Sequence, residues 1–239
     1  MSKSMSVQDK IRHFLKLAED KGATQAERDL AASRAEKLMI QYAISSLDPE
    51  ETSKDVIVPR NIILKGGSSS FSLTLAAVLS QVVQAMGMQS YLMDNRSLRK
   101  YQEHNGVKGA HIVLVVIGFQ ADQDAAAPIL ASTLVQAKIA QQAWYRRNKH
   151  LTDIYGENQI WKAQKGFYLS FGRGVADRIR ESRRVIVEEA SSGTELAVIS
   201  RGEQVKAALP KNLGRGKPIG TSGLGNATMS GYAAGLSAN

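Results

Sequence analysis

The segment WYRRNKH and, after it, WKAQKGFYLSFGRGVADRIRESRR, together spanning Trp144 to Arg184, interleave cations with aromatic rings. Lys and Arg bind phosphates with release of condensed counterions, and Trp, Tyr and Phe stack on exposed bases. The combination points to nucleic-acid binding, with Arg146, Arg147, Lys149, Arg173, Arg178, Arg180, Arg183 and Arg184 as phosphate contacts. Trp161, Tyr168 and Phe171 recur at helical spacing and are expected in the core. Trp144 and Tyr145 are expected at the surface beside Arg146 and Arg147. A solvated, charged helix face produces the same run without any ligand.

Other chemistry has less support. His13, His104, His111 and His150 form no HExxH, and no two stand at helix-face spacing, so no metal is expected and no cofactor is implied. Tyr101, Glu103 and His104 are the one local phenol, acid and base, a grouping that short charged loops often carry. KGGSSSF follows an apolar run and precedes a helix, so the backbone of Gly66 to Ser70 could cradle an anion, but the spacing of a nucleotide-binding P-loop is absent. GRGK at 214–217 fails the same test, with Lys211 in place of the first Gly and Pro218 in place of Ser or Thr. There is no G-x-S-x-G elbow, and the adjacent Glu188 and Glu189 would diverge by about 100° on a helix. No catalytic residue is assigned. An enzyme is a third hypothesis that would need a cleft joining Tyr101, Glu103, His104 or His150 to a carboxylate.

The charge is localised. Of a net +9, residues 144–184 carry ten basic against four acidic side chains, whereas the first 54 residues hold nine of each. The longest apolar run, Ile112 to Ile117, falls far short of the roughly 20 residues a bilayer requires. The opening MSKSMSVQDK lacks the apolar centre of a secretory signal, and the chain has no cysteine. These features suggest a cytoplasmic protein that does not enter a membrane, in a host cytoplasm if it is phage encoded.

The elements that must position these residues are set by periodicity. Val7, Ile11, Phe14, Leu15 and Ala18 share one helical face, and Leu30, Arg34, Leu38 and Tyr42 share another. Between them Gly22 is placed for a left-handed helix end, and Thr24 with Glu27 has the form of a capping box. SSLDPEETSKD reads as a linker. VIVPRNIILK reads as two short runs broken by Pro59, Phe71 to Met86 as a helix ended by Gly87, and MQSYLM as a short strand. NRSLRKYQEHNGVKG reads as a polar loop or hairpin region, and AHIVLVVIG as a strand buried on both faces. Asp122 is the expected N-cap of a helix toward Asn148 that Pro128 must kink or restart. A long helix is expected from Glu157 to about Ala190, in which Gly166, Gly172 and Gly174 mark breaks or close backbone contacts. TELAVIS reads as a strand, EQVKAAL as a short helix, and the glycine-rich segment from Pro210 as flexible.

Lys10, Ile11, Leu15, Leu17, Ala18, Glu19, the GAT turn at 22–24, Glu27, Ala31, Ala35, Leu38, Met39, Tyr42 and Ile44 closely resemble the domain-of-unknown-function family 2786, a short helical module of bacterial and phage proteins. The order of elements behind this module, helix, strands, helix and then an aromatic helix, resembles the uncharacterised domain commonly attached to it. The resemblance implies no catalytic residues, and the association of some relatives with DNA metabolism favours a nucleic-acid role by analogy.

The expected architecture is α+β, or mixed α/β, in three parts. These are a helical hairpin at 1–48, a domain at 56–209 with a small mixed sheet and a long basic helix, and a flexible tail at 210–239. The expected function is sequence-nonspecific binding of DNA or RNA, in a protein of phage or mobile-element origin. A major-groove reader is disfavoured because Glu27 and Asp29 open the second helix. The alternative is a non-enzymatic assembly or host-modulating factor whose N-terminal helices dock a protein partner.

Overall fold

A run such as HIVLVVIGF, apolar on both alternations, is stable where both faces of a strand are covered. In the computed structural model it is the central strand of a three-stranded sheet. The structure describes residues 7–18, 20, 22–24, 27, 30, 31, 33–35, 37–39, 41, 55–66, 69–106, 108, 109, 111–189, 194–214 and 225–238. The elements are α1 (Val7–Ala18), β1 (Ile57–Lys65), α2 (Ser70–Ala85), β2 (Gln89–Leu92), α3 (Asn95–Asn105), β3 (His111–Phe119), α4 (Gln120–Asn148), α5 (Leu151–Tyr155), α6 (Glu157–Glu189), α7 (Thr194–Ala207) and α8 (Gly225–Ser237). The class is α+β, as expected.

The sheet is antiparallel throughout rather than mixed. β1 and β2, joined by α2, run in the same direction, but β3 inserts between them, so each hydrogen-bonded pair is antiparallel. β1 pairs with β3 from Ile57↔Phe119 to Lys65↔His111, a single strand and not two runs. Pro59 is tolerated because β1 lies at the sheet edge, where one side of the strand needs no partner. Gly66, at φ +105°, makes the turn into α2, and Gly87, at φ +87°, follows its end.

Both faces of the sheet are covered. Ile112, Leu114 and Val116 face the main core with α2, α4 and α6, while Val113, Val115, Ile117 and Phe119 meet Leu98 and Tyr101 of α3 and Val205 of α7. α3 occupies the stretch expected to be a polar loop. Its start carries the missed signal: the Asp94 carboxylate accepts from the Ser97 backbone N–H at 3.0 Å and from its hydroxyl at 2.6 Å, an N-terminal cap. TELAVIS is likewise helical, forming the first half of α7. Only a helix turns Arg201 and Val205 of the same element toward the sheet while Leu196 and Ile199 stay exposed.

α4 is one uninterrupted helix. It starts at Gln120 without a side-chain cap, Asp122 lies in its first turn, and Pro128 stands inside it. The burial of Ala126, Ile129, Leu130, Thr133, Ala137 and Trp144 along one face holds the helix through the hydrogen bond that proline removes.

α6 is buried almost all round in its middle, which marks it as the central helix. Its glycines serve close contacts, since Gly172 lies against Val78 of α2 and Gly174 against the backbone of Tyr232 and Leu236 of α8. α8 corrects the expectation of a flexible tail over these residues. Ala227, Gly231 and Gly235 recur every fourth residue and are all buried, so the helix settles on α6 backbone to backbone at Phe167 and Phe171. Small residues offer little surface alone but let two helices approach closely, and dispersion then accumulates along the contact. Residues 215–224, with most of GRGK, lie outside the described residues.

In the opening hairpin, every described residue from 27 to 41 is helical. Ala31, Ala35 and Met39 form its buried face, not the stripe through Leu30, which is 53% exposed. Tyr42 and the linker after it lie outside the described residues. The capping box forms: Thr24 donates its backbone N–H and its hydroxyl to the Glu27 carboxylate at 2.8 and 2.7 Å. Gly22 is not left-handed; its N–H donates to the Asp20 carboxylate instead.

Candidate nucleic-acid interface

Three arginines of α6 meet carboxylates three residues before or four residues after them on the same helix. Arg173 is 3.7 Å and Arg180 2.6 Å from Asp177, and Arg184 lies between Glu181 at 2.6 Å and Glu188 at 2.5 Å. The hydrogen bonds from Arg184 hold the Glu181 carboxyl below its ordinary range, and both glutamates raise the guanidinium. Arg183 turns inward and donates to the carbonyl of Met86, and burial lowers its pKa against the opposing pull of Asp122. Arg178 is half-buried. This part of the predicted ridge is therefore largely neutralised or inward-facing, and the carboxylates responsible were visible in the sequence at helix spacing.

Arg146, Arg147 and Lys149 differ. They are exposed at the end of α4, and among the described residues no carboxylate lies within ion-pair distance of them. The aromatic assignments exchange places. Trp144 is 1% exposed, its ring 5.9 Å from Phe167, and Tyr145 is half-buried, whereas Trp161 is 43% exposed. Tyr168 and Phe171 are buried as expected. A helix delivers a ring to the face its position dictates, and Trp144 falls on the face of α4 turned to α6.

Three helices share one direction at this end. Ser70, Phe71 and Val78 of α2 meet Lys165, Tyr168 and Gly172 of α6 in turn, so the two run parallel. Thr228, Gly231 and Gly235 of α8 meet Gly166, Phe167 and Phe171, so α8 also runs parallel to α6. α4 runs the other way, and its Asn148 meets Asn226 at the start of α8 at 3.5 Å. The N-terminus of α8, the positive end of a helix dipole, thus lies at the end of α4 that carries these cations, and the N-terminus of α2 lies at Lys165 of α6.

Lys165, which its spacing sets with Lys162 on the outward cationic side of the long helix, sits inside this corner instead. It is 7% exposed, its ammonium donates to the Ser70 hydroxyl at 2.9 Å, and it stands 4.4 Å from the centre of the Trp161 ring. Among the described residues no carboxylate is within 4.0 Å of it. Beside it Ser69 caps α2, accepting from the Ser72 N–H at 3.2 Å. Of the expected anion cradle, Gly67 and Ser68 lie outside the described residues.

A second polar cluster joins distant elements. Arg201 of α7 donates to Asp55 at 2.8 Å and to Asp122 at 3.0 Å, with its guanidinium 3.6 Å from the centre of the Phe119 ring. Burial raises the Asp122 carboxyl above its ordinary value, and Arg201 works against that shift. The three charges are too far apart in sequence for any spacing to reveal them. They latch α7 to the sheet and to the start of α4.

The local trio does not assemble. Tyr101 packs under the outer sheet face, while Glu103 and His104 are exposed. His111 is buried, its Nε2 2.9 Å from the Gln102 amide. Among the described residues no group of three His, Asp or Glu is placed to hold a metal, and no helix is long and apolar enough to cross a membrane.

No curated protein and no solved structure matches the chain. A family match covers the opening hairpin and stops before β1: residues 6–46 match the family described as Protein of unknown function (DUF2786), the module that their residues resemble.

Proposed function

We propose that the protein binds nucleic acid without sequence preference at the corner where α2 and α8 begin and α4 ends. The observation that carries the reading is Lys165, a cation almost wholly removed from water, with no described counter-ion and an exposed tryptophan against it. A buried charge is costly unless an opposite charge meets it. Phosphate supplies that charge, the helix N-termini favour it, and Arg146, Arg147 and Lys149 extend the positive surface. Trp161 offers a face on which an unpaired base can stack, worth about 1 to 3 kcal/mol, which favours single-stranded DNA or RNA.

The test is fluorescence anisotropy of labelled single- and double-stranded oligonucleotides over about 50 to 200 mM salt, where counterion release dominates. Single strands are expected to bind, with affinity collapsing as salt rises. Replacing Arg146, Arg147 and Lys149 by Ala is expected to lower the logarithmic salt slope by about 2, at about 0.7 per lost contact. Arg180→Ala with Arg184→Ala is expected to change it little. Absence of binding at the lowest salt overturns the reading.

A protein-docking role is the second reading, favoured by Val135 and Ile139, one helical turn apart on α4 and exposed by 59% and 62%. Partner binding at that apolar face would be insensitive to salt over the same range.

A further inference from the structure

A helix on a protein surface ordinarily turns a polar face to water. α4 departs from this rule. Asp124, Ala131, Val135, Ile139, Gln142 and Arg146 recur at intervals of 7, 4, 4, 3 and 4 residues, so they share one side of the helix, and all are exposed. At about 100° per residue, Val135 points directly away from the side that buries Ala126, Ala137 and Trp144. The helix therefore carries a second amphipathic face whose centre, Ala131 with Val135 and Ile139, is apolar.

The ends of this face indicate what covers it. Asp124 stands at its start and Arg146 at its finish, so the face is negative at one end and positive at the other. A second copy laid antiparallel, with a two-fold axis at Val135, brings Val135 to Val135, Ala131 to Ile139 and Asp124 to Arg146. Each large side chain then meets a small one, which lets the helices close to the usual separation of about 8 to 10 Å. Charge agrees with shape. Asp124 receives Arg60 of its own chain on Oδ1 at 2.6 Å, which leaves Oδ2 for Arg146 of the partner subunit. Arg146 has no carboxylate within ion-pair distance among the described residues of its own chain. A parallel arrangement would instead set Asp124 against Asp124 and Arg146 against Arg146.

We propose that the outer face of α4 is an interface between two copies of this chain, packed antiparallel about a two-fold axis at Val135. One patch serves both copies, as a closed two-fold interface requires. The inference gives an occupant to the apolar face on which the second reading above rests, and it does not depend on nucleic-acid binding. It also has a consequence for the basic corner. The two-fold separates the two Arg146 positions by roughly 33 Å along the paired helices, so the dimer carries one corner at each end.

The test is the mass of the full chain in solution, by light scattering and sedimentation over a concentration series without oligonucleotide. The expected result is a species of twice the 25.9 kDa of one chain, converted to single chains by Val135→Asp with Ile139→Asp. Both residues are exposed, so that variant keeps its native circular dichroism. Asp124→Arg is expected to weaken association about tenfold, two exposed ion pairs giving way to two repulsions, and Arg146→Asp in the same chain to restore it. Because the chain has no cysteine, Val135→Cys reports on the axis alone: mild oxidation is expected to link two copies of it, and not of Lys206→Cys on α7. A single-chain mass at every concentration overturns the dimer and leaves the oligonucleotide titration to judge the basic corner separately. A dimer that survives Val135→Asp with Ile139→Asp overturns the surface. A dimer lost in that variant, yet showing neither the Val135→Cys link nor the charge-reversal rescue, overturns the antiparallel arrangement.

Discussion

Gly235 of α8 rests directly on the carbonyl of Phe171 in α6, with no side chain between the two backbones. The contact inverts an ordinary rule. Alanine normally stabilises a helix interior relative to glycine by about 1 kcal/mol, and at Gly202 of α7, where an added Cβ meets nothing within 4 Å, Gly202→Ala is expected to do so. Gly235→Ala is expected to destabilise by about 1 to 3 kcal/mol, because the new methyl must push two helices apart. Urea denaturation of the two variants side by side checks the opposite signs.

Arg201 compensates two carboxylates at once, and its side chain is 11% exposed while those of Asp55 and Asp122 are 15% and 19%. Removing one member of a buried pair strands the others, so Arg201→Met is expected to cost about 3 kcal/mol at neutral pH. The pH dependence comes from the raised carboxyl of Asp122. An acid whose folded pKa lies above its unfolded value contributes stability that is present below the unfolded value and lost as pH rises through the folded one. Without Arg201 the shift grows, so the deficit of the variant should widen from about pH 4 to about pH 7. Denaturation at both values decides, and a deficit that does not change with pH would count against the latch.

The two tryptophans should report opposite environments. Trp144 is buried against Phe167, and Trp161 lies at the surface over Lys165. The Trp161→Phe variant, retaining Trp144, is expected to emit at shorter wavelength and resist acrylamide quenching, and the Trp144→Phe variant to do the reverse. Trp144→Ala is expected to cost about 3 to 5 kcal/mol, as large aromatic deletions in cores do. The phenylalanine variant should cost less than half as much, since it also removes an indole N–H that has no acceptor among the described residues.

The capping box at Thr24 predicts an acid titration in the N-terminal module. Its hydrogen bonds hold the Glu27 carboxyl below the usual value of 4.5. A depressed carboxyl contributes stability that is present above its unfolded pKa and lost as pH falls through the folded one. Carbon-detected NMR of the Glu27 side chain should place its midpoint below that of an exposed glutamate, and Thr24→Ala should return it upward. An unchanged midpoint in that variant would sink the assignment.

Much of the fold was legible because its signals are local. The continuous apolar run of β3, the amphipathic spacing of α2 and α6, and the Thr24–Glu27 cap each lie within a few residues of one another. α3 could have been read the same way, since Asp94 and Ser97 already stand at cap spacing.

The sequence by itself determined the class of the fold, the length of α6 and the clustering of cations around it, because these depend on neighbours along the chain. Tertiary structure alone decided which aromatic is buried, whether glycines break a helix or join two, that Arg183 turns inward to Met86, and that Lys165 meets Ser70. Those outcomes depend on which faces meet after folding. A one-residue difference on a helix turns a side chain by about 100°, so only the packed arrangement could place Trp144 inside and Trp161 outside.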